Sequence, residues 1–237
     1  MTGLTYSDYV QTAALLSLQK TQAPAGADRA VHLAEHFFIV AHQCSELWLK
    51  QVLADLDAVV DLLPARSGDD DLDLGAELLG RASGVLRLMH EQVVVLERLP
   101  LRCFVEFRPH LGTASGAQSD QFGSLARMIG GDGADGTLYR AFESAAAHRG
   151  LSVPGVCRAG LAAGALHRIA EALLDVGNGY WRWKVAHLAL MSSMVGAQEG
   201  TGGTSGTEYL ARRITVPFPE LRGIRGSLHA GLTDTAR

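Results

Sequence analysis

The sequence predicts an all-α fold, organised as a helical bundle, on three observations. Apolar residues make up 47% of the 237 residues and charged residues 19%, a balance typical of an ordered globular chain. Aromatic residues reach only 6%, which favours packed helices because strands prefer aromatic and β-branched side chains. Apolar residues also recur at helical spacing over residues 30–63, which contain no proline or glycine.

The bounds of the individual helices are predicted from helix-breaking and helix-capping residues. Helices are predicted over residues 5–20, 30–63, 74–99, 138–148 and 159–196, with a helical turn over 208–213. The acidic residues 68–73 are expected to form a solvated turn or the N-terminal cap of the second long helix. Residues 104–128 are expected to be irregular, Pro154 and Gly155 to break the chain, and the tail from Val216 to be mostly irregular.

Composition excludes several classes of function. The net charge of −4 gives no basic surface for nucleic acid. No apolar run approaches the ~18 residues of a membrane span, and residues 1–8 show no secretory signal. Three widely spaced cysteines form neither a disulfide framework nor a zinc pattern. We therefore expect one all-α domain over residues 1–237, in the reducing cytoplasm, with no nucleic-acid or membrane partner.

Two local patterns offer alternative chemistry. His32, Glu35 and His36 match the H-x-x-E-H pattern of inverted zinc peptidases, in which both histidines would share a metal and the glutamate would act as base. The alternative is a polar helix face. The glycine-rich residues 200–206 could cradle an anion, but the P-loop and dinucleotide fingerprints are both absent, so a flexible loop is the simpler interpretation.

Two isolated histidines lie within the apolar helices. His42 follows Phe38 by one turn, and His187 lies between Trp183 and Met191 at helical spacing. A lone histidine on an apolar face is usually a core residue. A neutral imidazole in an apolar pocket is also what a heme iron needs as an axial ligand. Spacing alone leaves both interpretations open.

Four segments resemble the tryptophan 2,3-dioxygenase family in the same order. The first is LTYSDY at residues 4–9, and the second is FFIVAHQCSELWLK at 37–50, similar to the family's signature helix. The third is FRPHLGTASGAQS at 107–119. The fourth runs from Trp183 to His187 and continues in the loop GTGGTSG at 200–206. The chain is identified on these motifs as a member of this heme-dependent oxygenase superfamily.

The resemblance implies a fold that binds heme b and uses O2 as co-substrate. It assigns the proximal iron ligand to His187 and the distal, catalytic histidine to His42. At the cofactor it places Trp183, Ser115 and Gly116, the last two over the heme edge. The protein would supply orientation and water exclusion, while the cofactor carries the oxygen chemistry.

For the substrate, the resemblance places Phe38 in the aromatic pocket and Arg108 on the carboxylate, a bidentate task that suits a planar guanidinium. Thr201 would meet the substrate ammonium and carboxylate from the glycine-rich loop. Tyr6 and Tyr9 would enter a neighbouring subunit's pocket, with residues 1–20 contacting that subunit in a tetramer or dimer. The alternative is that both tyrosines pack on their own chain.

The sequence also departs from the family pattern. Phe104 stands where the family usually has a tyrosine, so a hydroxyl near the substrate carboxylate is missing. The stretch between Arg108 and His187 is short, which implies that a helical insertion is absent, and the loop ends GTSG instead of GSSG. These changes leave the heme assignment intact and bear on the exact reaction.

The expected function is therefore an aromatic amino-acid oxygenase. The leading reaction is 2,3-dioxygenation of L-tryptophan, or of a substituted tryptophan, to N-formylkynurenine. The alternative is a heme-dependent monooxygenase of a natural-product pathway that gives a 2-oxindole or a hydroxylated tryptophan or tyrosine. A non-catalytic heme sensor is a remote alternative, because a sensor needs no amino-acid clamp.

Overall fold

All regular secondary structure in the described part of the chain is helical. A computed structural model describes residues 3–64, 68–131, 136–196, 198–199, 203 and 205–235, the last seven by their backbone alone. These residues contain no strand, which confirms the predicted all-α class. The helices are α1 (Tyr6–Val10), α2 (Thr12–Leu15), α3 (Arg29–Leu62), α4 (Asp69–Leu96), α5 (Leu101–Phe107), α6 (Asp120–Met128), α7 (Thr137–His148), α8 (Val153–Ala159), α9 (Ala165–Met194), α10 (Thr207–Arg212) and α11 (Pro219–Thr235).

Three long helices, α3, α4 and α9, form the main core. Leu56 of α3, Leu86 of α4 and Leu173 of α9 are buried together in it. Helices α4 and α9 approach each other closely, because a Cβ on Gly179 would come within 2.9 Å of the Leu86 Cβ. A glycine inside a helix usually costs stability. Here it lets two helices pack in contact, so Gly179 supports the bundle and does not interrupt α9.

A second, smaller core lies beside the N-terminal part of α3. It joins Val31 and Ala34 of α3 to Phe104 and Phe107 of α5. Buried Glu35 lies beside it and accepts hydrogen bonds from the backbone N–H groups of residues 22 and 23, at 2.7 and 2.9 Å. The segment that precedes α3 is thereby fixed to the helix.

The long helices agree with the sequence-based expectation, but several shorter elements do not. Residues 5–20 form two short helices, and the expected irregular stretch 104–128 contains the end of α5, two 3-10 turns and α6. The acidic residues 69–71 form the first turn of α4, where their charges complement the helix dipole, in agreement with the predicted alternative that they begin the second long helix.

Two expectations about breaks in the chain are wrong. Pro154 lies in the first turn of α8, where its missing N–H has no intrahelical partner to lose, and the Ser152 hydroxyl accepts from the Gly155 N–H at 3.1 Å. The tail from residue 216 is mostly the helix α11, which Phe218 and Leu221 attach to the core.

Among the described residues, no helix has the length and apolar character needed to span a bilayer.

Candidate functional site

A cavity of about 530 Å³ lies between α3, α4, α5, α6, α9 and α10. Its walls combine apolar and aromatic side chains with a few polar groups. The predicted site residues found on its wall are Phe38, His42, Phe104, Arg108, Ser115, Gly116, Trp183 and His187. The fold therefore gathers residues from positions 38 to 187 around one cavity.

His187 projects from α9 onto this cavity in a desolvated setting. Burial is the main reason that its pKa falls to about 4, and the nearby His42 and Lys184 lower it further. The imidazole is therefore neutral near pH 7, as a ligand to iron must be. The ring of Trp183 lies nearly parallel to it, with centroids 5.4 Å apart and planes 7° apart. Phe122 stacks on the same indole at 4.4 Å.

His42 reaches the cavity from α3. Its Nδ1 lies 2.8 Å from the Phe38 carbonyl oxygen. Burial lowers its pKa, although the hydrogen bond to Phe38 and the charge of Glu46 act in the opposite direction. In the neutral ring the carbonyl can only accept, so Nδ1 carries the proton and Nε2 keeps a lone pair. His42 is thus able to accept a hydrogen bond from a donor in the cavity.

Aromatic side chains surround His42 on one side. The Phe38 ring lies 4.0 Å from the His42 ring and 6.1 Å from that of Phe104, between centroids. Phe107 lies 5.6 Å from Phe38 but is fully buried behind it. The Phe104 side chain has no hydroxyl group, so its planar ring can pack against a ligand but cannot form a hydrogen bond with it.

Arg108 joins the cavity to the segment that follows α9. It lies in a 3-10 turn after α5, and its Nη2 donates to the Glu199 carbonyl. A guanidinium has five N–H donors, so donors remain for a carboxylate in the cavity. Thr201 lies outside the described residues, as does most of the loop 200–206.

The base of that loop is closed by close backbone contacts. Gly206 has φ of +60°, and a Cβ there would collide with the Gln198 carbonyl oxygen. The Thr207 hydroxyl donates to the Gly196 carbonyl at 3.2 Å. Glycine is therefore required at position 206 for both its φ and its lack of a side chain.

Ser115 and Gly116 lie at the start of a 3-10 turn that borders the cavity. The Ser115 hydroxyl accepts from the Ala117 N–H at 3.3 Å, and the Gln118 side chain accepts from the Ser115 N–H at 3.1 Å. This reciprocal capping explains why the segment turns sharply. It presents Gly116, which has open space where a side chain would lie, to the cavity.

Tyr6 and Tyr9 are not brought to the cavity of their own chain. Both side chains are 76% exposed, and α1 and α2 contain no buried residue. Within the described residues of a single chain, these tyrosines therefore have no packing role.

The zinc alternative finds no support in the geometry. Both carboxylate oxygens of Glu35 accept backbone hydrogen bonds, so this residue is not placed as a base. His32 lies 3.5 Å from the Thr21 hydroxyl, between Nδ1 and Oγ1. In the described part of the chain, no three histidine, cysteine or acidic side chains form a group that could hold a metal ion.

Several site residues were missed by the sequence reasoning. Glu46 lies one turn after His42 and is held by Gln121, whose Nε2 donates to its carboxylate at 2.6 Å. Lys184 lies one turn before His187. Helical spacing from either histidine would have placed them on the same face. Arg213 also borders the cavity, but no local pattern places it there.

The cavity fits a large planar cofactor with an imidazole ligand. Its wall contains a neutral His187, extended aromatic surface and basic groups. Two buried polar atoms on the wall, Gln92 Oε1 and Trp183 Nε1, have no hydrogen-bond partner among the residues that the structure describes. Buried polar groups are seldom left without a hydrogen-bond partner. A ligand in the cavity would supply the missing hydrogen bonds.

Comparison with known proteins identifies the family. The family model described as tryptophan 2,3-dioxygenase matches residues 1–149 and 139–228. The chain is 29% identical to the tryptophan 2,3-dioxygenase of Herpetosiphon aurantiacus, with 95% of this chain and 99% of the relative covered. It is 31% identical to that of a Nocardioides species, with 95% of each covered, and 30% identical to that of an Anaeromyxobacter species, with 95% and 97% covered.

The chain belongs to the tryptophan 2,3-dioxygenase family. This confirms the resemblance and the enzyme class, an oxidoreductase of the heme-dependent dioxygenase type, and it implies heme and O2. The comparisons give no support to a monooxygenase. The alignment with the Herpetosiphon protein runs over 269 positions, more than the 237 residues of this chain, so the relative contains segments that this chain lacks.

Proposed function

We propose that this protein is a heme-dependent dioxygenase that inserts both atoms of O2 into the indole ring of L-tryptophan, or of a substituted tryptophan, to give an N-formylkynurenine. One observation carries the proposal. His42 and His187 reach the same cavity from two different helices, and Arg108 lies on the wall of that cavity. This set suits a cofactor ligand, a distal hydrogen-bonding group and a carboxylate clamp.

Heme b would be held through His187, with Trp183, Ser115 and Gly116 beside it. When bound, heme supplies the activation of O2 that no amino-acid side chain can supply. The neutral state of His187 supports this role, because its lowered pKa leaves the ring free to bind iron near pH 7. The stacked Trp183 would fix the orientation of the imidazole ring.

The chain's own residues would bind and orient the amino acid. The indole ring would pack against Phe38 and Phe104, and its N–H would donate to Nε2 of His42. This atom is available because Nδ1 is already bonded to the Phe38 carbonyl. A neutral His42 is therefore an acceptor and an orienting group, and the proposed chemistry needs no strong base from it.

Arg108 would bind the substrate carboxylate, and Thr201 would contribute from the loop. The bond from Arg108 to the Glu199 carbonyl supports coupling between substrate binding and this loop. Phe104 would leave the carboxylate without the hydroxyl contact expected in the family, so Arg108 would have a larger share of carboxylate binding here. Loop closure would exclude water from the reacting ring.

Tyr6 and Tyr9 would complete the pocket of a neighbouring subunit in a homotetramer or homodimer. Their 76% exposure supports this, since a tyrosine with a partner on its own chain would be covered. The cavity described here would in turn receive the same segment from another copy.

The test combines a spectrum with isotope labelling. The purified protein with heme should show a Soret band, and His187→Ala should lose heme or its axial-ligand signature while His42→Ala keeps the cofactor. Turnover of tryptophan under 18O2 should give a product that contains two labelled atoms. One labelled atom would replace the dioxygenase with a monooxygenase, and bound heme without turnover of any aromatic amino acid would favour a sensor.

A further inference from the structure

Lys184 occupies an unusual position for a cation. It lies three residues before His187 on α9, so both side chains are on one face of the helix and line the same cavity. Lys184 is half-buried, and its Nζ donates to the Arg213 carbonyl at 2.6 Å and lies 5.4 Å from the centroid of the Tyr180 ring. The lysine is thus fixed beside the cavity and does not extend freely into solvent.

Lys184 forms no salt bridge with the residues that the structure describes. No carboxylate there lies within 4.0 Å of its Nζ. Burial, and then the proximity of Arg213, lower the pKa of Lys184. A partly desolvated ammonium beside a second cation is costly unless an anion compensates it.

Arg213 adds a second charge at the same place. Its Nη1 donates to the Tyr209 hydroxyl at 2.5 Å, and its guanidinium carbon lies 5.2 Å from the centroid of the Tyr209 ring. Among the described residues it also has no carboxylate within 4.0 Å. Its neighbour Arg212 differs, because it pairs with Glu208. Two oriented cations, neither with a carboxylate within 4.0 Å in the described part of the chain, therefore border the cavity.

We propose that Lys184 and Arg213 form a carboxylate-binding site for the propionate groups of the cofactor. The inference rests on the proposed heme function. A carboxylate in the cavity could also come from the amino-acid substrate. The cofactor is favoured because Lys184 lies on the same helical face as the proposed iron ligand, one turn away, whereas Arg108 is a separate cation bonded to Glu199.

The experiment measures cofactor affinity. Full-length protein free of cofactor is titrated with ferric heme and, separately, with heme dimethyl ester, whose propionates carry no charge. The wild-type protein should bind heme at least about tenfold more tightly than the ester, because charge-assisted hydrogen bonds are the stronger ones. The double variant Lys184→Gln/Arg213→Gln should lose most of this preference, and Lys184→Arg should keep it.

Arg182→Gln is the matched control, because Arg182 lies on the same helix but is exposed and does not line the cavity. It should keep the preference for heme. An unchanged preference in the double variant would overturn the inference, as would weaker tryptophan binding with unaltered heme affinity, which would assign the site to the substrate. A wild-type protein that binds heme and ester equally would overturn it too. Failure of the wild-type protein to bind either compound would instead contradict the proposed function.

Discussion

At the scale of single residues, His187 links protonation to folding. Its pKa of about 4 in the folded protein lies below its ordinary value of 6.5. The unfolded chain therefore binds more protons between these values, and the free energy of unfolding falls as the pH falls from 6.5 towards 4. The desolvation that makes His187 a suitable iron ligand thus makes the cofactor-free protein sensitive to acid.

The first prediction follows from this difference. Between pH 7 and pH 5, the cofactor-free wild-type protein should lose about 2 kcal/mol more unfolding free energy than His187→Gln. Urea denaturation at both pH values measures it, with His148→Gln as a control, because His148 is exposed at the end of α7. Equal losses in the wild-type and His187→Gln proteins would show that His187 is not desolvated in the folded state.

The second prediction concerns Arg108. Arg108→Ala should weaken tryptophan binding by about 3 kcal/mol, since a carboxylate in an enclosed site would lose its charged partner. Tryptamine, which has no carboxylate, should bind the wild-type and variant proteins with similar and low affinity. Spectroscopic titration of the heme protein gives all four affinities. If the variant still prefers tryptophan over tryptamine as strongly as the wild-type protein does, Arg108 does not bind the substrate carboxylate.

At the scale of elements, the loop after α9 depends on its base. Gly206 has a positive φ and no room for a Cβ beside Gln198, while Thr207 is bonded to Gly196. The Glu199 carbonyl accepts from Arg108. A change at the base of the loop would therefore reach Arg108, the proposed carboxylate clamp, through backbone contacts.

The third prediction tests this connection. Gly206→Ala should raise KM for tryptophan severalfold or more and leave heme affinity unchanged, because the strain falls on the loop and not on α9. Steady-state kinetics and a heme titration separate the two effects. Gly203→Ala is the comparison, since Gly203 also has a positive φ but open space around it. If both variants behave alike, φ alone and not the contact with Gln198 controls the loop.

Sequence patterns predict the long helices well because burial and periodicity coincide in them. Residues 30–63 read as one helix and form α3 almost unchanged. α11 was missed because Gly223 and Gly226 give it low intrinsic helix propensity. Tertiary packing stabilises it, since Phe218 and Leu221 are buried in the main core and the Phe218 ring approaches the site of a Cβ on Gly177 to 3.0 Å.

The site was predictable only in part, for a similar reason. His42 and His187 were isolated histidines until the family motifs assigned them roles, and the fold places both on one cavity. Lys184 shares a helical face with His187 and could have been found from spacing. Arg213 follows α10, and only the folded chain brings its carbonyl within 2.6 Å of the Lys184 Nζ. A contact of this kind leaves no local signal in the sequence.

At the scale of the whole molecule, the helices α1 and α2 of the N-terminal segment contain no residue that is buried against the described part of their own chain. Large apolar side chains there are exposed by 74–76%, namely Leu4, Tyr6, Tyr9 and Leu16. The segment is nevertheless anchored at its end, where Glu35 holds residues 22 and 23 and the Gln43 side chain donates to the Leu18 carbonyl at 3.2 Å. A segment that is anchored at one end and exposes apolar side chains along the rest of its length is typical of one that packs on another copy of the chain.

The fourth prediction is that assembly and substrate binding depend on the same ten residues. Deletion of residues 1–10 should shift the oligomer towards smaller species in light scattering and raise KM for tryptophan, because Tyr6 and Tyr9 would leave the neighbouring pocket. Tyr6→Ala/Tyr9→Ala should raise KM with a smaller effect on assembly, since the rest of the arm remains. Leu161→Ala, at a side chain 87% exposed elsewhere, should change neither property. A monomeric wild-type protein, or full activity after the deletion, would contradict the prediction that two subunits share the substrate pocket. Every substrate contact would then come from a single chain.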